Sequence, residues 1–181
     1  GGLSGFPKRE ESPCDAYDTG HSSTSISAGV GYVCASKVSG EEYHVVSVIG
    51  DGALTGGMAY EALNNAASLN KNFVIVLNDN KMSISENVGG ISSYLSNLRT
   101  AESYTDLKSE VKKTLNKVPG IGPVMVQRIH KTKDSIKQLM IPGMFFEDMG
   151  IKYLGPVNGH DCGRMIQVFQ EAKKVNGPVL V

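Results

Sequence analysis

The chain has 181 residues, with 18 Lys+Arg against 18 Asp+Glu, 40% hydrophobic residues and 20% charged ones. This balance describes an ordinary globular chain, excludes disorder, and gives no global attraction to nucleic acid or acidic lipid. No apolar run approaches the roughly 18 to 20 residues a membrane helix needs. Cys14, Cys34 and Cys162 are far apart and form no recognisable metal or redox pair, as expected of a reducing compartment.

Residues 1–20 carry Gly, Pro, Ser and charge without periodicity, and predict an extended lead-in. They show no charged-then-apolar leader. From Ser22, a Ser/Thr-rich start leads into Ile26, Val30, Val33 and Cys34, spaced for one helical face. Residues 45–49 are apolar and β-branched and end at Gly50, which predicts a buried strand. Met58, Ala62, Ala66 and Leu69 predict a helix over 53–69. A second buried strand follows at 73–77, closed by Asn78-Asp79-Asn80.

Beyond a polar loop at 81–90, helical patterns run through 91–98, 104–115 and 124–140, interrupted at Pro119-Gly120. A short helix at 143–149, a strand at 151–154 and a helix at 161–175 come next, and Val179-Leu180-Val181 begins a last strand. A strand cut so early is expected of an internal piece truncated at both ends. The chain is read as one domain, 1–181, with 99–142 as a helical insertion. Strands alternating with helices predict an α/β fold, a parallel sheet with helices on both faces.

The chemistry gathers at two strand ends. A helix of some 16 residues descends about 24 Å, and a strand of six or seven residues climbs back about 20 Å. Gly50-Asp51-Gly52 and Asn78-Asp79-Asn80 should therefore emerge at one edge of the sheet, where open α/β sheets bind ligands. Mg²⁺ favours oxygen ligands and takes few from protein, the rest from phosphate and water. One carboxylate (Asp51), one amide oxygen (Asn80) and a main-chain carbonyl would serve. Gly50 and Gly52 leave room for a phosphate, and a helix starting near Ala53 would offer it N–H groups and a positive dipole end. Gly-Asp-Gly alone is mostly a turn and Asn-Asp-Asn mostly a loop; paired across one strand–helix–strand unit they become a strong signal.

Gly-Asp-Gly followed after 27 residues by Asn80 is also the motif of thiamine-diphosphate enzymes. The stretches Gly20-His21-Ser22-Ser23-Thr24-Ser25-Ile26-Ser27-Ala28-Gly29, Val48-Ile49-Gly50-Asp51-Gly52-Ala53, Leu77-Asn78-Asp79-Asn80-Lys81-Met82-Ser83-Ile84-Ser85-Glu86-Asn87-Val88-Gly89 and Gly155-Pro156-Val157-Asn158-Gly159-His160-Asp161 resemble the 1-deoxy-D-xylulose-5-phosphate synthase family along the whole chain. The resemblance implies a thiamine-diphosphate-binding fold, the cofactors thiamine diphosphate and Mg²⁺, and condensation of pyruvate with glyceraldehyde 3-phosphate to 1-deoxy-D-xylulose 5-phosphate and CO₂. It further implies a transferase of isoprenoid and thiamine biosynthesis, a homodimer, and a bacterial cytoplasm, with a plastid as the other possible setting.

Carried over residue by residue, the resemblance makes Asp51 and Asn80 magnesium ligands, with Met82 contributing its main-chain carbonyl. Gly20, His21, Ser22, Gly52, Ala53 and Asn80 become cofactor contacts. The family usually has Asp where this chain has Asn158. Its activating Glu lies on a second domain, so no catalytic acid or base is assigned here and the isolated piece is expected to be inactive. His160 is read as closing a turn, and His44, His130, Glu61 and Glu86 as structural or surface residues.

One rival comes from another class. Residues 115–130 resemble a helix-hairpin-helix nucleic-acid module, and residues 108–137 carry eight Lys/Arg against Glu110 and Asp134. Against it stand Pro123 in the turn and the single copy of a motif that usually works in pairs. Neither nucleic acid nor membrane is expected as a partner.

Overall fold

A computed structural model describes residues 2–80, 88–100 and 144–181. Four strands form one parallel sheet in the order β1-β2-β4-β3: β1 (Val46–Gly50), β2 (Phe73–Asn78), β3 (Lys152–Tyr153) and β4 (Pro178–Leu180). The helices are α1 (Ser25–Ser39), α2 (Asp51–Leu54), α3 (Gly57–Ala66), α4 (Gly90–Thr100), α5 (Met144–Asp148) and α6 (Cys162–Ala172).

Alternate residues of the central strands feed two cores. Phe73, Ile75 and Leu180 join Ile26 and Val33 of α1, Ala59, Ala62, Leu63 and Ala66 of α3, and Leu95 and Leu98 of α4. Val74, Val179 and Val181 pack instead with Val168 and Ala172 of α6. Helices thus cover both faces, and the expected α/β architecture is the observed one. Asp161 caps α6, its Oδ1 accepting the Arg164 N–H at 2.9 Å.

Four expectations are corrected. The first 20 residues are not extended: Glu11 accepts the Ser4 N–H at 2.9 Å and Asp18 accepts the Arg9 N–H at 2.7 Å, so acidic side chains curl the segment back on itself. On α1, Cys34 is exposed, and the buried face is Ile26, Gly29, Val33 and Ser36. Gly29 lies inside because a Cβ there would sit 2.2 Å from Ser47 Oγ and 2.6 Å from the Phe73 ring, so only glycine lets α1 approach β1 and β2 so closely. Strand β1 is buried on one face only, with Val46 and Val48 more than half exposed.

Finally, the helix expected over 53–69 is two helices. The Thr55 hydroxyl and N–H both turn back onto the Gly52 carbonyl, at 2.7 and 3.2 Å, and Gly56 is extended, so α2 closes after one turn before α3 starts. The patterns at 104–115 and 124–140 lie outside the described residues, as do 101–142 of the expected insertion; residues 99–100 close α4.

Candidate active site at the carboxyl ends of β1 and β2

Strands β1 and β2 are adjacent and parallel, and their register pairs Gly50 with Asn78. Asp51 and Asp79 therefore follow side by side one step beyond, at a strand spacing of about 4.8 Å. Asp51 is 1% exposed and, among the described residues, the one ionisable side chain that is buried; Asp79 is half-buried and Asn80 exposed. Burial pushes the Asp51 carboxyl above its ordinary 3.8, and the Asp79 charge and a hydrogen bond between the two carboxyls push the same way. The Gly52 N–H, donating to Asp51, partly offsets this. Two carboxyl groups pressed together at a sheet edge suit a site that receives a cation. Among the described residues, no group of three His, Cys, Asp or Glu side chains forms a metal cage. A site with one or two carboxylates and neutral oxygens, as Mg²⁺ uses, needs no such group.

The glycine and serine loop reaches the same turn. The Ser23 hydroxyl donates to the Ala53 carbonyl at 2.6 Å, which ties residues 20–23 to α2. Within the loop, the His21 carbonyl accepts the Thr19 hydroxyl at 3.2 Å and the Thr24 hydroxyl at 3.4 Å. Gly20, His21 and Ser22 stay exposed, while Gly52 and Ala53 are half-buried. A Cβ at Gly50 would meet nothing within 4 Å, so open space lies beside the β1 end. The dipole anticipated from a long helix after Gly52 is not available from the single turn of α2. An anion there would be met by individual N–H groups.

The sequence reading missed an aromatic cluster beside this edge. Tyr94 packs edge-on against Phe145 and Phe146 at 5.7 and 6.0 Å between ring centres, Phe145 edge-on against Tyr60 at 6.3 Å, and Phe146 stacks on Tyr153 at 6.4 Å. Burial first, then Tyr94 and Asp79, push the Tyr153 phenol well above its usual range. Asp79 thus connects the cluster electrostatically to Asp51. Burial pushes the Tyr60 phenol up to about 12, and its hydroxyl has no hydrogen-bond partner among the described residues. The cluster's tyrosines are far apart in sequence, and only the fold brings Tyr153 within electrostatic reach of Asp79.

Elsewhere, His160 closes a turn, its N–H donating to Asn158 Oδ1 at 3.0 Å, and His44 and Glu61 are exposed. Met82, Glu86, His130 and residues 115–130 lie outside the described residues.

Comparison with known proteins decides the family. The family described as "1-deoxy-D-xylulose-5-phosphate synthase" matches residues 1–181. This chain belongs to that family. A 1-deoxy-D-xylulose-5-phosphate synthase of Lachnoclostridium phytofermentans is 57% identical over 180 residues, which are 99% of this chain and 29% of that protein. One of Carboxydothermus hydrogenoformans is 56% identical over 181 residues, 100% of this chain and 29% of that protein. The chain thus spans under a third of the length of these synthases. Among solved structures, transketolase of Campylobacter jejuni superposes with a TM-score of 0.57 at 22% identity, covering 90% of this chain and 20% of that one; at that identity the likeness is one of fold. The synthase family gives no support to the helix-hairpin-helix alternative. Among the described residues, no helix is long and apolar enough to cross a membrane.

Proposed function

We propose that this chain supplies the magnesium-diphosphate anchor of a thiamine-diphosphate-dependent transferase that condenses pyruvate with glyceraldehyde 3-phosphate to 1-deoxy-D-xylulose 5-phosphate, releasing CO₂. The observation that carries the proposal is the buried Asp51 carboxyl, held against Asp79 at the end of β1 in a chain that matches the synthase family over its whole length. A divalent cation is the charge that offsets two apposed carboxyls, and oxygen donors suit Mg²⁺.

In this assignment Asp51 and the Asn80 amide oxygen hold Mg²⁺ together with the Met82 main-chain carbonyl. Gly20, His21, Ser22, Gly52, Ala53 and Asn80 receive thiamine diphosphate, the glycines by leaving its phosphates room to reach the backbone. The bound cofactor supplies the electron sink for decarboxylation, and the protein positions it. No residue of this chain is assigned as catalytic acid or base. Residues 1–181 are taken as one diphosphate-binding domain with a helical insertion at 99–142. The enzyme is taken to be a cytoplasmic homodimer that acts in isoprenoid biosynthesis.

Calorimetric titration of thiamine diphosphate into the full-length protein, with and without Mg²⁺, tests the anchor. Magnesium-dependent binding that Asp51→Ala abolishes is expected. Binding indifferent to that substitution sinks the metal placement. Failure to form product from pyruvate and glyceraldehyde 3-phosphate sinks the activity.

A further inference from the structure

Ser23 is the one non-glycine residue with positive φ among the described residues, at +67°. A left-handed conformation is unfavourable for a side chain with a Cβ, and it persists only where the surroundings hold it. Here they do. The Ser23 hydroxyl donates to the Ala53 carbonyl at 2.6 Å, and that carbonyl also accepts the Gly56 N–H at 3.2 Å. A Cβ at Gly56 would fall 2.5 Å from Ser23 Oγ and 3.0 Å from Ser23 Cβ, so the pocket that receives Ser23 exists only because residue 56 is glycine. Glycine at position 23 would take this φ at no steric cost. What serine adds is the hydroxyl, and the hydroxyl goes to the turn after Asp51.

We propose that Ser23 is a positioning residue: its hydroxyl, held in a left-handed turn under Gly56, locks the Ala53 peptide and sets the 20–22 loop and the 52–53 backbone at a fixed separation, so that both meet the cofactor diphosphate together. The Ala53 carbonyl lies in one peptide plane with the Leu54 N–H, so fixing one fixes the other. The proposal rests on the cofactor assignment above and extends it to a residue outside the expected contacts. Pre-setting two loops before the ligand arrives improves affinity by removing an ordering cost from the binding step.

Ser23→Gly separates this role from plain stabilisation, because it relieves the strained φ while deleting the hydroxyl. Thiamine diphosphate affinity at saturating Mg²⁺ is measured by calorimetry on the full-length wild-type, Ser23→Gly, Ser23→Ala and Gly56→Ala proteins, alongside the thermal midpoint of each without cofactor. In Ser23→Gly the dissociation constant is expected to rise about tenfold, the low end for losing a supporting hydrogen bond, with the midpoint unchanged or higher. Ser23→Ala and Gly56→Ala are expected to weaken binding similarly, and both lower the midpoint. If wild type binds and Ser23→Gly binds as tightly, the hydroxyl has no positioning role and this proposal alone falls. If affinity across the variants simply follows the midpoint, the role is structural and the proposal also falls. If wild type does not bind with Mg²⁺ present, the cofactor assignment itself is lost and the positioning role with it.

Discussion

A buried carboxyl pressed against a second carboxyl costs stability whenever both are charged. With its native value above 3.8, Asp51 binds more protons folded than unfolded between those two values. Its contribution to stability is therefore complete below pH 3.8 and is lost as pH rises through the raised native value. Asp51→Asn keeps an acceptor for the Gly52 N–H and drops the charge. In EDTA at neutral pH this variant is expected to be more stable than wild type by about 1 kcal/mol. The advantage shrinks as pH falls below the native value and vanishes only below pH 3.8, which urea midpoints across pH will show. The same variant should lose magnesium-dependent cofactor binding. Asp51 was legible because Gly-Asp-Gly and Asn80 are linked by one strand–helix–strand unit. Asp79 was not, since in sequence it is the middle of a polar loop. Only the Gly50–Asn78 register sets it beside Asp51.

At the level of elements, α1 shows what apolar spacing can and cannot report. Ile26 and Val33 were visible as its inner face because both are large and apolar. Gly29 and Ser36, equally buried, were not, and Cys34, placed on the same face by its spacing, is exposed. Close approach of backbone to sheet selects for the absence of a side chain, and no hydrophobic pattern records an absence. Gly29→Ala puts a methyl group against Phe73, which is fully buried, and against Ser47, whose hydroxyl is committed to the Ser25 carbonyl at 2.8 Å. A loss of about 2–3 kcal/mol is expected, read as a lower denaturant midpoint at unchanged slope, despite alanine's better helix propensity. Likewise the break between α2 and α3 was written in Thr55-Gly56-Gly57, but continuing periodicity from Met58 to Leu69 masked it.

Across the whole molecule, the parallel order of the sheet was the most legible feature. Short β-branched runs separated by helical ones leave few topologies once crossovers are right-handed. The β1–β2 adjacency that unites the two motifs is what the tendency of consecutive strands to be neighbours favours, and the register shows it. What the rule does not reveal is how fully each strand is covered. Within the described sheet β1 is an edge, and its outward-facing valines at positions 46 and 48 are 55% and 59% exposed. Such a strand is a template for pairing between molecules. The 181-residue chain made on its own is therefore expected to self-associate with rising concentration, and light scattering should fall when Val46→Lys places a charge there. The strand that leads into Asp51 is thus also where solubility would first be lost.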